Sequence, residues 1–177
     1  MLRTALIYGA LSGSIVIGVM IAGMMMAGGH GAPPTGGAAF GYTIMVVALV
    51  LIFIGVKRYR DRELGGVIKF GPAFGLGLAI AAVAGVFYVI GWEINLAATD
   101  YAFIEEYSKG IIARKEAAGA SAEELQKIRA EMAKLIAQYQ NPAYRLPITF
   151  LEIFPVGLVV ALVSAAILRN PKAFPAR

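Results

Sequence analysis

The chain contains no cysteine and a single histidine, His30. Without cysteine it forms no disulfide, carries no thiolate nucleophile and offers no sulfur anion to a metal; its redox compartment leaves no trace in the sequence. One histidine, with no serine and acid at a recognisable spacing from it, leaves hydrolase chemistry without its base. A phosphate-cradling glycine loop is missing too. Gly71, Gly75 and Gly77 lie inside an apolar run and lack the Lys and Ser or Thr that would have to follow. These deficits point away from an enzyme, and no cofactor or metal is expected. What the chain has instead is apolar surface: 59% of its 177 residues are hydrophobic, and mean hydropathy is +0.72. Soluble domains hold about 45 to 50% apolar residues, so lipid is the expected solvent.

The net charge of +5 would suggest nucleic acid in a soluble protein, but nine of the sixteen Lys and Arg flank apolar spans, where they set topology. No nucleic acid partner is expected. The organising stretch is 57–93, a basic loop (Lys57, Arg58, Tyr59, Arg60, Asp61, Arg62, Glu63) followed by an apolar run ending at Trp92 and Glu93. About 20 apolar residues cross the hydrocarbon core as one helix. Four runs satisfy this: 4–27, 38–56, 70–91 and 148–168. The first exceeds the 7 to 15 residues of a secretory signal core and reads as a retained span. Clustered cations resist translocation. Arg3, the loop after span two and the carboxyl tail therefore belong in the cytoplasm; the loop 28–37, with Pro33, Pro34 and no Lys or Arg, belongs outside.

Small residues mark packing faces. Gly9, Gly13 and Gly18 in span one, with Ser14 and Ala22, and Gly71, Gly75 and Gly85 in span three, with Gly77, Ala81 and Ala84, place small residues at three- and four-residue steps that let helices approach closely. Spans one and three are the expected packing pair, while span two has the composition of a lipid-facing helix. Met24, Met25 and Met26 point to three sides of a helix and cannot converge on a soft metal ion; they read as packing filler.

Between spans three and four the chain turns polar, with seven Lys or Arg and seven Asp or Glu from Asp100 to Arg145. This part reads as an extracytoplasmic helical hairpin. Its first helix covers 100–117 and stops at Gly119. Its second begins at a Ser121 and Glu124 capping box and carries Leu125, Ile128, Met132, Leu135 and Tyr139, a short coiled-coil seam offered to its own bundle or to a partner. Asn141, Pro142 and Pro147 are expected to break that helix. The domain plan is 1–95 for three spans, 96–147 for the hairpin, and 148–177 for span four with a cytoplasmic tail: an all-α polytopic membrane protein of four transmembrane helices.

Glu93 and Glu152 are the carboxylates in or beside the spans, and ionisable groups at membrane depth are functional candidates. Glu93 fits equally a headgroup position beside Trp92. Pro155 would free the Leu151 carbonyl beside Glu152, giving a polar pocket or a kink at which Glu152 meets Arg145, Tyr144 or a neighbouring helix. His30 shares their side of the membrane, but three such scattered residues make a weak case for zinc.

Five stretches stand out together: Tyr8, Gly9 and Gly13; the passage Gly65, Gly66, Val67, Ile68, Lys69, Phe70, Gly71; Glu105, Glu106, Tyr107; Thr149 through Gly157; and Leu168, Arg169. In these the chain resembles the small bacterial membrane proteins of the domain of unknown function 4199 family. The resemblance implies a four-span inner-membrane protein with a charged hairpin before the last span, and supplies no activity. The function expected is that of a non-enzymatic integral membrane protein, self-associating or an accessory subunit of a membrane complex. Its partners are then the bilayer and either further copies of itself or another membrane protein. The alternative is an oligomeric transporter or channel component with Glu93 and Glu152 along an ion or proton path.

Overall fold

A computed structural model describes residues 1–26 and 37–175. Six helices follow one another: α1 (Leu2–Met26), α2 (Gly37–Glu63), α3 (Phe70–Ala98), α4 (Phe103–Ala117), α5 (Ala122–Tyr139) and α6 (Pro142–Leu168), and the described residues contain no strand. Four of them, α1, α2, α3 and α6, are long and apolar enough to cross a membrane. They form a ring in which α1 meets α2 and α3, α6 meets α3 and α2, and α2 reaches α3 across the middle. Leu49, Ile52 and Val56 of α2, Leu76, Ile80, Ala84 and Tyr88 of α3, Val16 of α1 and Ile153 and Ala161 of α6 fill the centre. The outside is apolar as well. Leu11, Val47, Val50, Ile90, Val159 and Leu162 are 46% exposed or more, the pattern of a surface solvated by hydrocarbon.

Glycine decides how closely the helices approach. A carbon added at Gly9 would fall 2.5 Å from Val83 Cβ, and one at Gly13 would fall on the Ala84 carbonyl oxygen, so α1 lies directly on the backbone of α3. The same device joins α3 to α6: carbons built at Gly77 and Gly157 would sit 2.9 Å from Ala161 Cβ and 2.8 Å from Ala81 Cβ. Gly85 faces the Phe150 ring of α6 rather than α1, and Gly18, Gly71 and Gly75 face open space.

Three boundaries differ from the sequence reading. Lys57–Glu63, read as a basic loop, is the last two turns of α2. Lys, Arg and Glu are good helix formers, and charge alone does not end a helix. The chain reverses instead at Gly65 and Gly66, whose φ of +63° and +91° are open to glycine without penalty. Span three runs on past Trp92 to Ala98. Pro147 does not break the helix before span four; α6 begins at Pro142 and passes through both Pro147 and Pro155. Asn141 caps it, its Oδ1 accepting from Ala143 N–H at 3.0 Å, and Pro142 supplies the φ of a first helical residue.

Between α3 and α6 sit α4 and α5, which pack on each other, with α5 also touching α6. Gly119 has φ +81° at the turn between them, and Ser121 and Glu124 form a reciprocal capping box. On α5 the positions Leu125, Ile128, Met132, Leu135 and Tyr139 are half-buried, and no residue of that helix is fully buried.

Candidate functional site

The polar side chains of the bundle gather where α3, α5 and α6 meet. Tyr88, Trp92 and Leu96 lie four residues apart on one buried stripe of α3. Glu93, the next residue after Trp92, turns towards the start of α6. Arg145 stands just inside that helix, and because side chains tilt towards a helix N-terminus it reaches back to the α5–α6 junction. Its Nε donates to Glu93 Oε1 at 2.7 Å, its Nη2 to Glu93 Oε2 at 2.8 Å, and its Nη1 to the Tyr139 carbonyl at 2.8 Å. The guanidinium also lies 5.2 Å from the Tyr101 ring centre and 5.8 Å from that of Tyr139. A cation with little access to water is thus met by a bidentate carboxylate, a carbonyl and two ring faces.

Aromatic contacts close the cluster. Trp92 Nε1 donates to Tyr139 Oη at 2.6 Å, and Phe103 meets the Trp92 ring edge-on with centroids 4.7 Å apart. Tyr139, the last seam position of α5, is thereby fastened to α3 of its own bundle. Burial pushes its hydroxyl up to about 12, outweighing the opposing effect of the Trp92 donor. The turn that brings Tyr101 and Phe103 over the cluster is strained: Asp100 and Tyr101 have φ of 49° and 56°. Two consecutive side-chain-bearing residues in the left-handed region cost roughly 1 to 2 kcal/mol each. Asn95, buried one half-turn beyond Glu93, leaves Nδ2 without a partner among the described residues.

Glu152 stands apart from that pair. It lies seven residues beyond Arg145, on the same side of α6 but about 10 Å along its axis, too far to share the guanidinium. Tyr88 Oη, itself fixed in the core, donates to Glu152 Oε2 at 3.1 Å and lies 3.3 Å from Met20 Sδ of α1. Glu152 is an exposed residue on the lateral face of the bundle, in line with the exposed Val159 and Val163. The expected meeting of Glu152 with Arg145 or Tyr144 therefore does not occur, and the neighbouring-helix partner is Tyr88. Glu93 and Glu152 are in separate clusters, and among the described residues no three His, Asp or Glu side chains come together around a metal-sized site. His30 lies outside the described residues.

At the opposite end of the bundle the sequence conceals another polar centre. Arg60, read only as a topology charge, is completely buried. It donates Nε to Asp61 at 2.7 Å and Nη1 to the carbonyls of Leu168 and Ala173 at 3.4 and 2.9 Å, and it also bonds the Phe174 carbonyl. It caps α6 and fastens the tail, with Phe53 and Phe174 in edge contact at 5.4 Å.

With the geometry established, comparison with known proteins places the chain. A family model described as a protein of unknown function, DUF4199, matches residues 7–170. The chain belongs to the DUF4199 family. Comparison with curated proteins and with solved structures gave no match. The match runs from the first span through the Glu93 and Arg145 pair and Glu152 to the end of α6, and takes in Arg60 but not the Ala173 and Phe174 carbonyls it bonds.

Proposed function

We propose that this protein is a non-enzymatic subunit of the bacterial inner membrane that assembles laterally, with further copies of itself or with another membrane protein, through the α6 face bearing Glu152. The observation that carries this reading is the half-satisfied carboxylate. Glu152 lies five residues below Pro147, about 7.5 Å inside the apolar part of α6, and accepts one bond among the described residues. Polar groups at such depth face protein or water rather than lipid, because an acidic residue at the bilayer centre costs about 2.5 to 3.5 kcal/mol even on the mildest scale. A second protein surface supplies the missing donors. The exposed apolar side chains of the same helix face supply the packing.

Orientation follows from charge. Arg3, Lys57, Arg58, Arg62, Lys69, Arg169 and Lys172 belong to the helix ends on one side of the bundle, which supports cytoplasmic termini and an extracytoplasmic α4–α5 pair. The exposed flank of α5 offers that pair a contact of its own.

The test is affinity purification from native membranes in mild detergent, with mass determination and identification of every co-purifying chain, on the wild type and on Glu152→Ala. Wild-type protein is expected in a complex that the variant loses while keeping its helix content. A wild type that is monomeric and alone would overturn the reading. A second reading, an ion or proton path, draws on one contact, the Tyr88 hydroxyl beside Glu152; Glu93 is already occupied by Arg145. Proton flux in vesicles that falls in Glu152→Gln while assembly persists would favour it.

A further inference from the structure

Two clefts flank the end of α2 opposite the α4–α5 pair, and Arg58 and Arg62 line both. The first, of about 270 Å³ between α1 and α2, is bounded by Arg3, Thr4, Tyr8, Arg58, Arg62 and the rim carboxylate of Glu63. The second, on the other flank of α2, also takes in Lys57, Asp61 and Phe174. The cations here divide by commitment. Lys57 and Arg60 are spent on Asp61, and Arg60 also on the tail carbonyls. Arg3, Arg58 and Arg62 are exposed and, among the described residues, pair with no carboxylate. Arg58 is nevertheless positioned, because its Nη1 donates to Tyr8 Oη at 3.3 Å across the α1–α2 seam. Three guanidiniums against one carboxylate, over a half-buried floor of Tyr8 and Tyr59, make an anion site.

We infer that the α1–α2 cleft binds the phosphate of an anionic phospholipid headgroup, with Arg58 and Arg62 as its principal ligands and Arg3 closing the rim. Guanidinium matches phosphate with paired parallel hydrogen bonds, and basic pockets between transmembrane helices suit lipid headgroups. A lipid rather than free phosphate is indicated by what adjoins the cleft. Ile7 lines it and is 46% exposed, and Leu11 and Ile15 continue its face down α1 at four-residue steps. Acyl chains attached to a headgroup in the cleft would run along these side chains. The inference requires only that the chain spans a membrane and is independent of the role of Glu152.

The experiment uses the full chain in detergent, titrated with short-chain phosphatidylglycerol, short-chain phosphatidylcholine and inorganic phosphate, with native mass spectrometry reading bound lipid and thermal melting as a second readout. Phosphatidylglycerol is expected to bind at least about tenfold more tightly than phosphatidylcholine. The double variant R58Q/R62Q should lose that preference, and R58K/R62K, which keeps the topology charge but not the planar fork, should retain only part of it. The control variant R114Q, on α4, should behave as wild type. Phosphatidylglycerol binding that survives unchanged in both double variants overturns the site. Equal binding of the two lipids by the wild type overturns the headgroup selectivity, and melting shifts produced as well by inorganic phosphate as by phosphatidylglycerol overturn the lipid assignment.

Discussion

Replacing Glu93 and Arg145 by methionine, singly and together, tests whether their pairing is a structural unit. Arg145 has 4% of its side chain exposed and Glu93 25%. Glu93→Met strands a buried guanidinium with one carbonyl acceptor and two ring faces, so its cost belongs towards the top of the roughly 3 to 5 kcal/mol typical of breaking a buried pair. Arg145→Met strands a carboxylate that water still reaches, and also loses the bond to the Tyr139 carbonyl. Its cost should be nearer 2 to 3 kcal/mol, the worth of hydrogen bonds to a charged group. The double variant removes both demands and fills the space with apolar volume, so it should lie within about 1 kcal/mol of the wild type. The assay is reversible unfolding in mixed micelles of increasing sodium dodecyl sulfate, followed by circular dichroism so that the neighbouring Trp92 does not bias the signal. A double variant whose loss equals the sum of the singles, to within about 0.5 kcal/mol, would mean the two residues act independently and would refute the argument.

Other expectations follow from single contacts. Gly13→Ala should destabilise the bundle by at least about 2 kcal/mol, because the methyl meets the Ala84 backbone, whereas Gly18→Ala meets open space and should be neutral or stabilising by up to about 1 kcal/mol; the same micelle titration separates them. The Tyr139 hydroxyl, held up at about 12 against an ordinary 10 by burial, favours the folded state in its protonated form. Its contribution is intact below pH 10 and lost as pH rises through 12. Fluorescence of Trp92, the sole tryptophan, should therefore change in that window, and Tyr139→Phe should abolish the change; an identical alkaline transition in the variant would sink this account. Arg60→Met should free the tail after Leu168, read as faster protease cleavage there with the rest of the chain intact.

The spans were legible because length and hydropathy are local properties, and any run of about 20 apolar residues has few other fates. The Gly9 and Gly13 stripe was also visible, though spacing alone gave no means of telling Gly13, which lies on a backbone, from Gly18, which faces nothing. Pairings across the fold were not legible. Glu93 and Arg145 are 52 positions apart and Arg60 reaches a carbonyl 108 positions away, and their register depends on how α3 and α2 slide against α6. Arg145 looked like a partner for Glu152 because it is near in sequence; seven residues of helix hold them about 10 Å apart. Arg60 looked like its neighbours because burial of a charge depends on the carbonyls of a tail that folds back over it. The one available signal was its place among aromatics, between Tyr59 and the distant Phe174, and that is too common a pattern to single it out.

Arg60, Arg145 and Glu152 rank by how completely the fold answers their charge. Arg60 is enclosed by a carboxylate and backbone carbonyls, and Arg145 by a bidentate carboxylate, a carbonyl and two rings. Both are closed within one chain. Glu152 has one donor among the described residues and is exposed on a face that is otherwise apolar. A chain that spends strained backbone at Asp100 and Tyr101 to complete the cluster around Arg145 has the means to satisfy an internal charge. Among the described residues Glu152 has only the Tyr88 hydroxyl, on an exposed and otherwise apolar face, and a second half of the site supplied from outside the chain would complete it. The decisive substitution is therefore Glu152→Leu. If α6 faces only lipid, leucine should stabilise the isolated protein and leave its mass unchanged; if it faces a partner, the same leucine should stabilise the monomer yet dissolve the complex.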